Sequence, residues 1–224
     1  RQPSISSIFH CLKQLGKGVS CRVMLVQHKQ TKKLYALKEM KRSNRKNYVL
    51  FHSEVQILRK TKHSNIVELY DVYLDHYNLY ICLEYCSGGT MLSHIINNGY
   101  FSESTARNYV RSVMETLQFI HENGIAHLDL KLNNIVFDKT QQELEENETP
   151  KIKVIDFGLS EQIENEHDLY DEIHGSLHYF PPEIFHDEGR TGKLLKAGDI
   201  WSVGVITYLM LSGKLPFFGN SQRE

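Results

Sequence analysis

The chain changes character once, at Glu84 to Ser87, and that change limits the architectures open to it. Up to residue 85 the apolar residues fall in short runs rich in Val, Leu and Tyr: CLKQLGK (11–17), CRVMLVQH (21–28), KLYALKEM (33–40), NIVELYDVYL (65–74) and NLYICLEY (78–85). Several are separated by Gly or Lys/Gln/Thr turns, the pattern of strands in a small antiparallel sheet. One interruption, NYVLFHSEVQILRKTK (47–62), places Val49, Leu50, Val55, Ile57 and Leu58 near helical spacing. Beyond CSGG (86–89) the pattern turns helical, in TMLSHIINN, in SESTARNYVRSVMETLQFIHENG with Ser102 as the expected cap, and in AGDIWSVGVITYLMLSG. Five strands and one helix followed mainly by helices predict two lobes joined at 84–87.

Charge narrows the classes of partner. Lys and Arg total 26 against 27 for Asp and Glu, so there is no net basic field to drive binding to nucleic acid or to an anionic membrane. No apolar run is expected to approach the roughly 18 residues of a membrane span, and RQPSISSIF (1–9) lacks the apolar stretch of a signal peptide. The expectation is a soluble protein of the cytoplasm or nucleus. Cys82 and Cys86 lack a second ligand pair, and Gly175 breaks the helical spacing of His174 and His178, so ordinary thiols and imidazoles are expected rather than metal ligands. The segment DKTQQELEENETPK (138–151), polar and acidic between NIVF and IKVID, reads as an exposed hairpin loop with a solvated face.

The chemistry-bearing residues lie in four short stretches. In LGKGVSCRV (15–23), Gly16 and Gly18 stand between two strands rather than between a strand and a helix, which fits neither a dinucleotide turn nor a Walker loop. In YALK (35–38), Lys38 sits among apolar neighbours and needs an anionic partner, because an unpaired buried ammonium is costly. Glu54, on the helix face that carries Leu50 and Leu58, is the candidate. AHLDLKLNNIVF (126–137) concentrates Asp129, Lys131 and Asn134 between apolar residues. VIDFGLS (154–160) ends an apolar strand on Asp156, a carboxylate without a packing role that could hold a divalent cation with Asn134 as a second oxygen ligand; such a donor set suits Mg²⁺.

Taken in order, the glycine loop, YALK, Glu54, HLDLKLNN, DFG, PPE (181–183) and DIWSVG (199–204) resemble the eukaryotic protein kinases of serine/threonine type across nearly the whole chain. GKGVSCRV, DFGLS and LSGKLPFFG are further similar to the calcium/calmodulin-dependent and calcium-dependent kinase group. The resemblance implies an α+β, two-lobed protein kinase fold. Residues 1–9 would be an N-terminal extension, and 10–83 an N-lobe with a five-stranded antiparallel sheet and one helix. A hinge at 84–87 would lead to a mainly helical C-lobe over 88–224, incomplete at its C-terminal end and without the arginine that pairs with Glu183.

The same resemblance implies ATP and Mg²⁺ as cofactors and proteins as substrates. Asp129 would accept or orient the proton of the substrate hydroxyl, and Lys131 would screen the transferring phosphate. Ser176 would support both, and Asn134 and Asp156 would hold Mg²⁺. Lys38, paired with Glu54, would contact the α- and β-phosphates. Leu15, Gly16, Lys17 and Gly18 would cover the nucleotide, Val23, Ala36 and Val136 would sandwich the adenine, and Leu83 would be the gatekeeper. The backbone of Glu84 and Cys86 would meet the adenine edge. Leu58, Leu69, His127 and Phe157 would stack between the lobes above Asp199.

Departures from the family pattern carry their own expectations. Cys21 stands where a third loop glycine is common, and Leu128 replaces the arginine that precedes the catalytic aspartate and normally pairs with a phosphorylated residue. Phosphorylation at Ser160, Tyr170, Ser176 or Tyr179 is therefore not expected to be required, in a segment already acidic through Glu161, Glu164, Glu166, Asp168, Asp171 and Glu172. Thr90, Asn133 and Leu209 occupy positions where arginine-selecting kinases place acids, which predicts weak or unusual basic selection. No calcium-binding loop or basic calmodulin-target helix occurs, so any calcium control must act through segments outside these residues. The alternative reading is a pseudokinase that serves as a nucleotide-binding scaffold.

Overall fold

Val23 pairs with Lys38, and Lys38 with Ile81, in one row across three strands. The computed structural model describes residues 4–18, 21–145, 148–170, 175–185 and 190–217; Asp171, Glu172, His174 and the GNSQRE stretch lie outside them. The row belongs to a five-stranded antiparallel sheet of β1 (Phe9–Lys17), β2 (Cys21–His28), β3 (Leu34–Lys41), β4 (Leu69–Leu74) and β5 (Asn78–Glu84), in the order β1-β2-β3-β5-β4.

The period-2 alternation of strands sends neighbouring side chains to opposite faces. On β3, Ala36 and Met40 join the main core on one face, while Leu37 joins Phe9, Val26, Tyr80 and Cys82 on the other. This outer face is covered by a one-turn helix, α1 (Ile5–Ile8), whose Ile5 and Ile8 pack against it. Phe9 meets the rings of His28, Tyr35 and Tyr73 edge-on at centroid distances of 5.5, 6.1 and 5.6 Å. Strand β1 therefore begins two residues before the apolar run that suggested it, because Phe9 is anchored by aromatic contacts remote in sequence.

Helix α2 (Arg45–Lys60) lies on the inner face. Asn44 caps it by accepting the Lys46 N–H at 2.9 Å, which starts the helix two residues before its apolar pattern does. Phe51, Glu54, Val55 and Leu58 form its buried stripe at helical spacing. Strand β4 is shorter than NIVELYDVYL suggested. Asn65 to Val67 leave the sheet because Asn65 Nδ2 donates to Ile152 O at 2.9 Å and the Val67 N–H to Val154 O at 3.0 Å, which ties this stretch to the C-lobe, while the Glu68 carbonyl still accepts the Glu84 N–H at 2.9 Å.

The C-lobe is built on α3 (Met91–Asn98), α4 (Glu103–Glu122) and α5 (Gly192–Ser212), with Thr90, Ser102 and Thr191 each accepting an N-cap hydrogen bond. Short pairings hold the loops: β6 (Ile125–Ala126) with β9 (Glu161–Gln162), β7 (Ile135–Phe137) with β8 (Ile152–Val154), and β10 (Leu169–Tyr170) with β11 (Arg190–Thr191). By length and composition α5 is apolar enough to cross a membrane, yet half of its apolar window is buried inside the protein. It also carries the buried Asp199 and packs Leu195, Val203, Ile206 and Met210 into the interior, as a core helix does.

Candidate active site

Two polar clusters stand out, one bridging the two lobes and one within the C-lobe. In the first, Lys38 Nζ donates to Glu54 Oε1 and Oε2 at 2.8 and 2.7 Å and to Asp156 Oδ1 at 2.7 Å. Strand β3 delivers the lysine, the buried stripe of α2 delivers the glutamate, and the turn after β8 delivers the aspartate. Burial acts to lower the Lys38 pKa, but the Glu54 and Asp156 carboxylates more than offset it, and the ammonium is held charged far into alkali. The same ammonium holds the Asp156 carboxyl below the usual range. Glu54, fully buried, is pushed up by desolvation against the pull of Lys38. Gly158 completes the cluster: a Cβ there would stand 3.2 Å from Asp156 Oδ1 and 3.4 Å from both Glu54 Oε2 and Lys38 Nζ.

The second cluster is a closed ring. Lys131 Nζ donates to Asp129 Oδ2 at 2.6 Å and to Ser176 Oγ at 2.8 Å, and Ser176 Oγ donates to Asp129 Oδ1 at 2.8 Å. Asn134 Nδ2 donates to the Asp129 backbone carbonyl at 2.8 Å and to Asp129 Oδ2 at 3.1 Å, so its amide oxygen is turned away from Asp129. The Asp129 carboxylate thus has both oxygens fixed before any substrate arrives. The clusters are joined through the core: the His127 ring lies 4.9 Å from that of Phe157, its Nε2 is 3.3 Å from Ile155 O, and Ile155 N–H donates to Asn134 O at 2.9 Å.

The loop that carries Asp129 is anchored from below. Asp199 Oδ2 accepts the His127 N–H at 2.8 Å and Oδ1 accepts the Leu128 N–H at 2.9 Å, while His121 Nε2 lies 2.8 Å from Oδ2. Leu128 has φ +66° and Asp156 φ +63°, a left-handed backbone that side chains other than glycine seldom adopt. Gly175, at φ +128°, lies so close that a Cβ would come within 2.4 Å of Leu128 O.

Most of the remaining residues expected on the nucleotide side are placed by the sheet. Ala36 pairs with Leu25 and Leu83, Val23 sits opposite Gly16, and Thr90 bridges Val136 just past the hinge. Leu15 and Lys17 end β1, and Gly18 N–H donates to Cys21 O at 2.8 Å as the chain turns back. Leu58 and Phe157 are buried in the main core, with Leu69 against it. Burial pushes the Cys82 and Cys86 thiols up to about 12 each, so both are protonated at neutral pH. A separate groove of about 490 Å³ runs from the end of α2 along β4 to Lys153; none of Asp129, Asn134 or Asp156 lines it.

The sequence named the polar side chains of both clusters, with Glu54 as the partner of Lys38 and Ser176 as a support of Asp129 and Lys131, but not what holds the loop in place. It did not find the grip of Asp199 and His121 on the loop, nor the tight fit at Gly158 and Gly175. The only signal for His121 was its place in FIHENGIAH, six residues before His127.

Comparison with known proteins agrees with this geometry. A family model described as Protein kinase domain matches residues 9–224. Calcium-dependent protein kinase 5 of Plasmodium falciparum (isolate 3D7) is 34% identical over 211 residues, 94% of this chain and 35% of that protein. Serine/threonine-protein kinase AtPK1/AtPK6 of Arabidopsis thaliana is 34% identical over 215 residues, 95% of this chain and 43% of that protein. Calcium/calmodulin-dependent protein kinase type IV of Mus musculus is 32% identical over 214 residues, 96% and 43% of the two chains. This chain therefore spans less than half the length of each of these relatives. With the family match covering almost all of its length and both polar clusters, the chain belongs to the protein kinase domain family.

Proposed function

We propose that the chain transfers the γ-phosphoryl group of MgATP to serine or threonine hydroxyls of protein substrates. The observation that carries this reading is the Asp129–Lys131–Ser176 ring, which holds an ionisable carboxylate beside an ammonium at the mouth of the lobe junction. Asp129 orients the substrate hydroxyl and takes its proton, and Lys131 offsets charge that builds on the transferring oxygens. Lys38 is held as a fixed cation by Glu54 for the α- and β-phosphates. The donor set fits Mg²⁺: the Asp156 side chain is 44% exposed, and Asn134 has its amide nitrogen committed to Asp129, which leaves the oxygen as the ligand atom. When bound, Mg²⁺ neutralises phosphate oxygens. Labelled-phosphate transfer from MgATP to a serine/threonine peptide array tests the reading, with Asp156→Asn and Asp129→Asn as controls. Transfer that persisted in both controls would overturn it; nucleotide binding without turnover would favour the pseudokinase scaffold.

Activation-segment phosphorylation is dispensable in this reading. Leu128 packs with Ile163, Tyr170, Phe180, Ile184 and Leu195 in a third apolar cluster, so the segment docks by burial where an arginine would need a phosphate. Ser160 is buried and its hydroxyl donates to His127 O at 3.0 Å, which removes it as an accessible phosphorylation site.

Weak selection for basic residues rests on the same lobe. Thr90 is committed to capping α3 and Leu209 is buried, and Leu209 with Leu92, Tyr179, Leu215, His178 and Lys214 lines a cavity of about 600 Å³ with no carboxylate among the described residues that line it. Calcium-linked control is suggested by the names of two relatives. Among the described residues no group of three or more His, Cys, Asp or Glu side chains converges to hold a metal ion, so such control would act through other segments.

A further inference from the structure

The hinge is gripped from one side by a single element, the hairpin of β7, the acidic loop 138–151 and β8. At the upstream end, Lys153 Nζ pairs with Glu84 Oε2 at 2.9 Å, with the two side chains only 15% and 23% exposed. Downstream, Ser87 N–H donates to Asp138 O at 3.1 Å, Gly88 N–H to Phe137 O at 3.1 Å, and Phe137 N–H to Gly89 O at 2.9 Å. A Cβ on Gly88 would stand 2.2 Å from Lys139 O, so the two backbones touch and only glycine fits.

The loop adds a contact that its composition did not suggest. Ser87 Oγ donates to the Glu143 carboxylate, and Thr140 N–H and Oγ1 donate to Glu143 Oε2 at 2.7 and 2.8 Å. Glu143 therefore closes a capping box on its own turn, Gln141–Glu143, and reaches across to the hinge. Asp138 Oδ1 ties the loop ends together by accepting the N–H groups of Lys139 and Lys151, both at 2.9 Å. A purely solvated acidic loop would leave its carboxylates to water. Here one is aimed at the hinge and another, Asp138, staples the base.

We propose that this hairpin is a strap that sets the hinge conformation, with Glu143 and Lys153 as positioning residues that tune nucleotide affinity without touching the nucleotide. The proposal rests on reading the hinge as the adenine-binding edge, since Cys86 lies between the two gripped positions. The contacts act on the backbone that receives the base, so their loss shows in nucleotide affinity and leaves phosphoryl transfer nearly untouched.

The test measures the Kd for MgATP, kcat, peptide KM and Tm on the full-length protein carrying Glu143→Gln, Ser87→Ala, both together, Lys153→Met, or Ser87→Thr. Glu143→Gln and Ser87→Ala should each raise the Kd about three- to tenfold, with the double variant no worse than either, as two halves of one interaction behave. Lys153→Met should raise it independently, Ser87→Thr should restore wild-type affinity, and kcat and peptide KM should stay within about twofold in all. Unmoved Kd values in Glu143→Gln and Lys153→Met, alongside normal wild-type binding, would overturn the strap alone. So would Kd, peptide KM and Tm moving together, the mark of general destabilisation. A wild-type protein that bound no nucleotide would overturn the functional reading and the strap with it.

Discussion

The Leu128 N–H donates to Asp199 Oδ1 at 2.9 Å while Leu128 itself is held at φ +66°. The left-handed conformation costs about 1–2 kcal/mol for a residue of this kind, and the buried carboxylate beneath it supplies the compensating bond. It turns the chain so that Leu128 packs downward and Asp129 faces the lobe junction.

Replacing Asp199 by asparagine puts an amide N–H where an acceptor is required. With the Asp199 side chain 1% exposed and three partners converging on it, Asp199→Asn should lower stability by about 2–4 kcal/mol. A loop displaced by even an ångström should lower kcat about a hundredfold. Denaturant unfolding alongside steady-state kinetics checks both; a variant with wild-type kcat would show that the anchor is not needed.

Leu128→Arg restores the residue common in the family but drives a cation into the Ile163, Tyr170, Phe180, Ile184 and Leu195 cluster. Wild-type activity should survive phosphatase treatment unchanged. The variant should lose about 1–3 kcal/mol of stability and become phosphatase-sensitive in whatever activity remains. Wild-type protein inactivated by phosphatase would refute the idea that apolar docking replaces the phosphate contact.

Lys38→Met leaves Glu54, which is fully buried, without its cation. Breaking a buried pair from one side costs about 3–5 kcal/mol. The double variant Lys38→Met with Glu54→Gln should recover much of that stability while remaining inactive. Thermal unfolding of the wild type and the two variants distinguishes this from a lysine whose role is confined to phosphate binding, for which no recovery would occur.

Of the two carboxyls that hold Lys38, Glu54 should take up a proton first on acidification. Its pKa is raised above its usual value by burial, while Asp156, lowered by Lys38, stays ionised to more acid values. The acid limb of kcat/KM for MgATP should therefore follow Glu54 and shift in Glu54→Gln, which has a lower plateau. For stability the signs differ. Asp156 contributes stability present above its unfolded pKa and lost as pH falls through its depressed folded value. The cost of ionised Glu54 is relieved as pH falls through its raised one. An acid limb unchanged in Glu54→Gln would assign it to another group.

Much of this architecture could be read from local pattern. Strands β2, β3 and β5, the cap at Ser102 and the pairing of Lys38 with Glu54 follow from alternation, spacing and the cost of a buried ammonium, all carried by neighbours in sequence. What could not be read depends on partners far along the chain. Asn65 to Val67 look like strand but pair with β8, and Leu128 shows no sign of its positive φ; the start of α5 at Gly192, five residues before its apolar pattern, is by contrast set locally, by the Thr191 cap. The acidic loop misled most, since composition reports the average fate of its carboxylates and not the one, Glu143, turned back onto Ser87.

The two isoleucines of α1 give the sheet an interior on its outer side, where Phe9, Tyr35 and Tyr73 meet beneath them. Trimming the chain to begin at Phe9 would preserve every residue of the catalytic apparatus and still turn an indoor wall into an outdoor one. A protein shortened in this way would be expected to stick to copies of itself during purification, and its loss of yield would be misread as a defect of the enzyme.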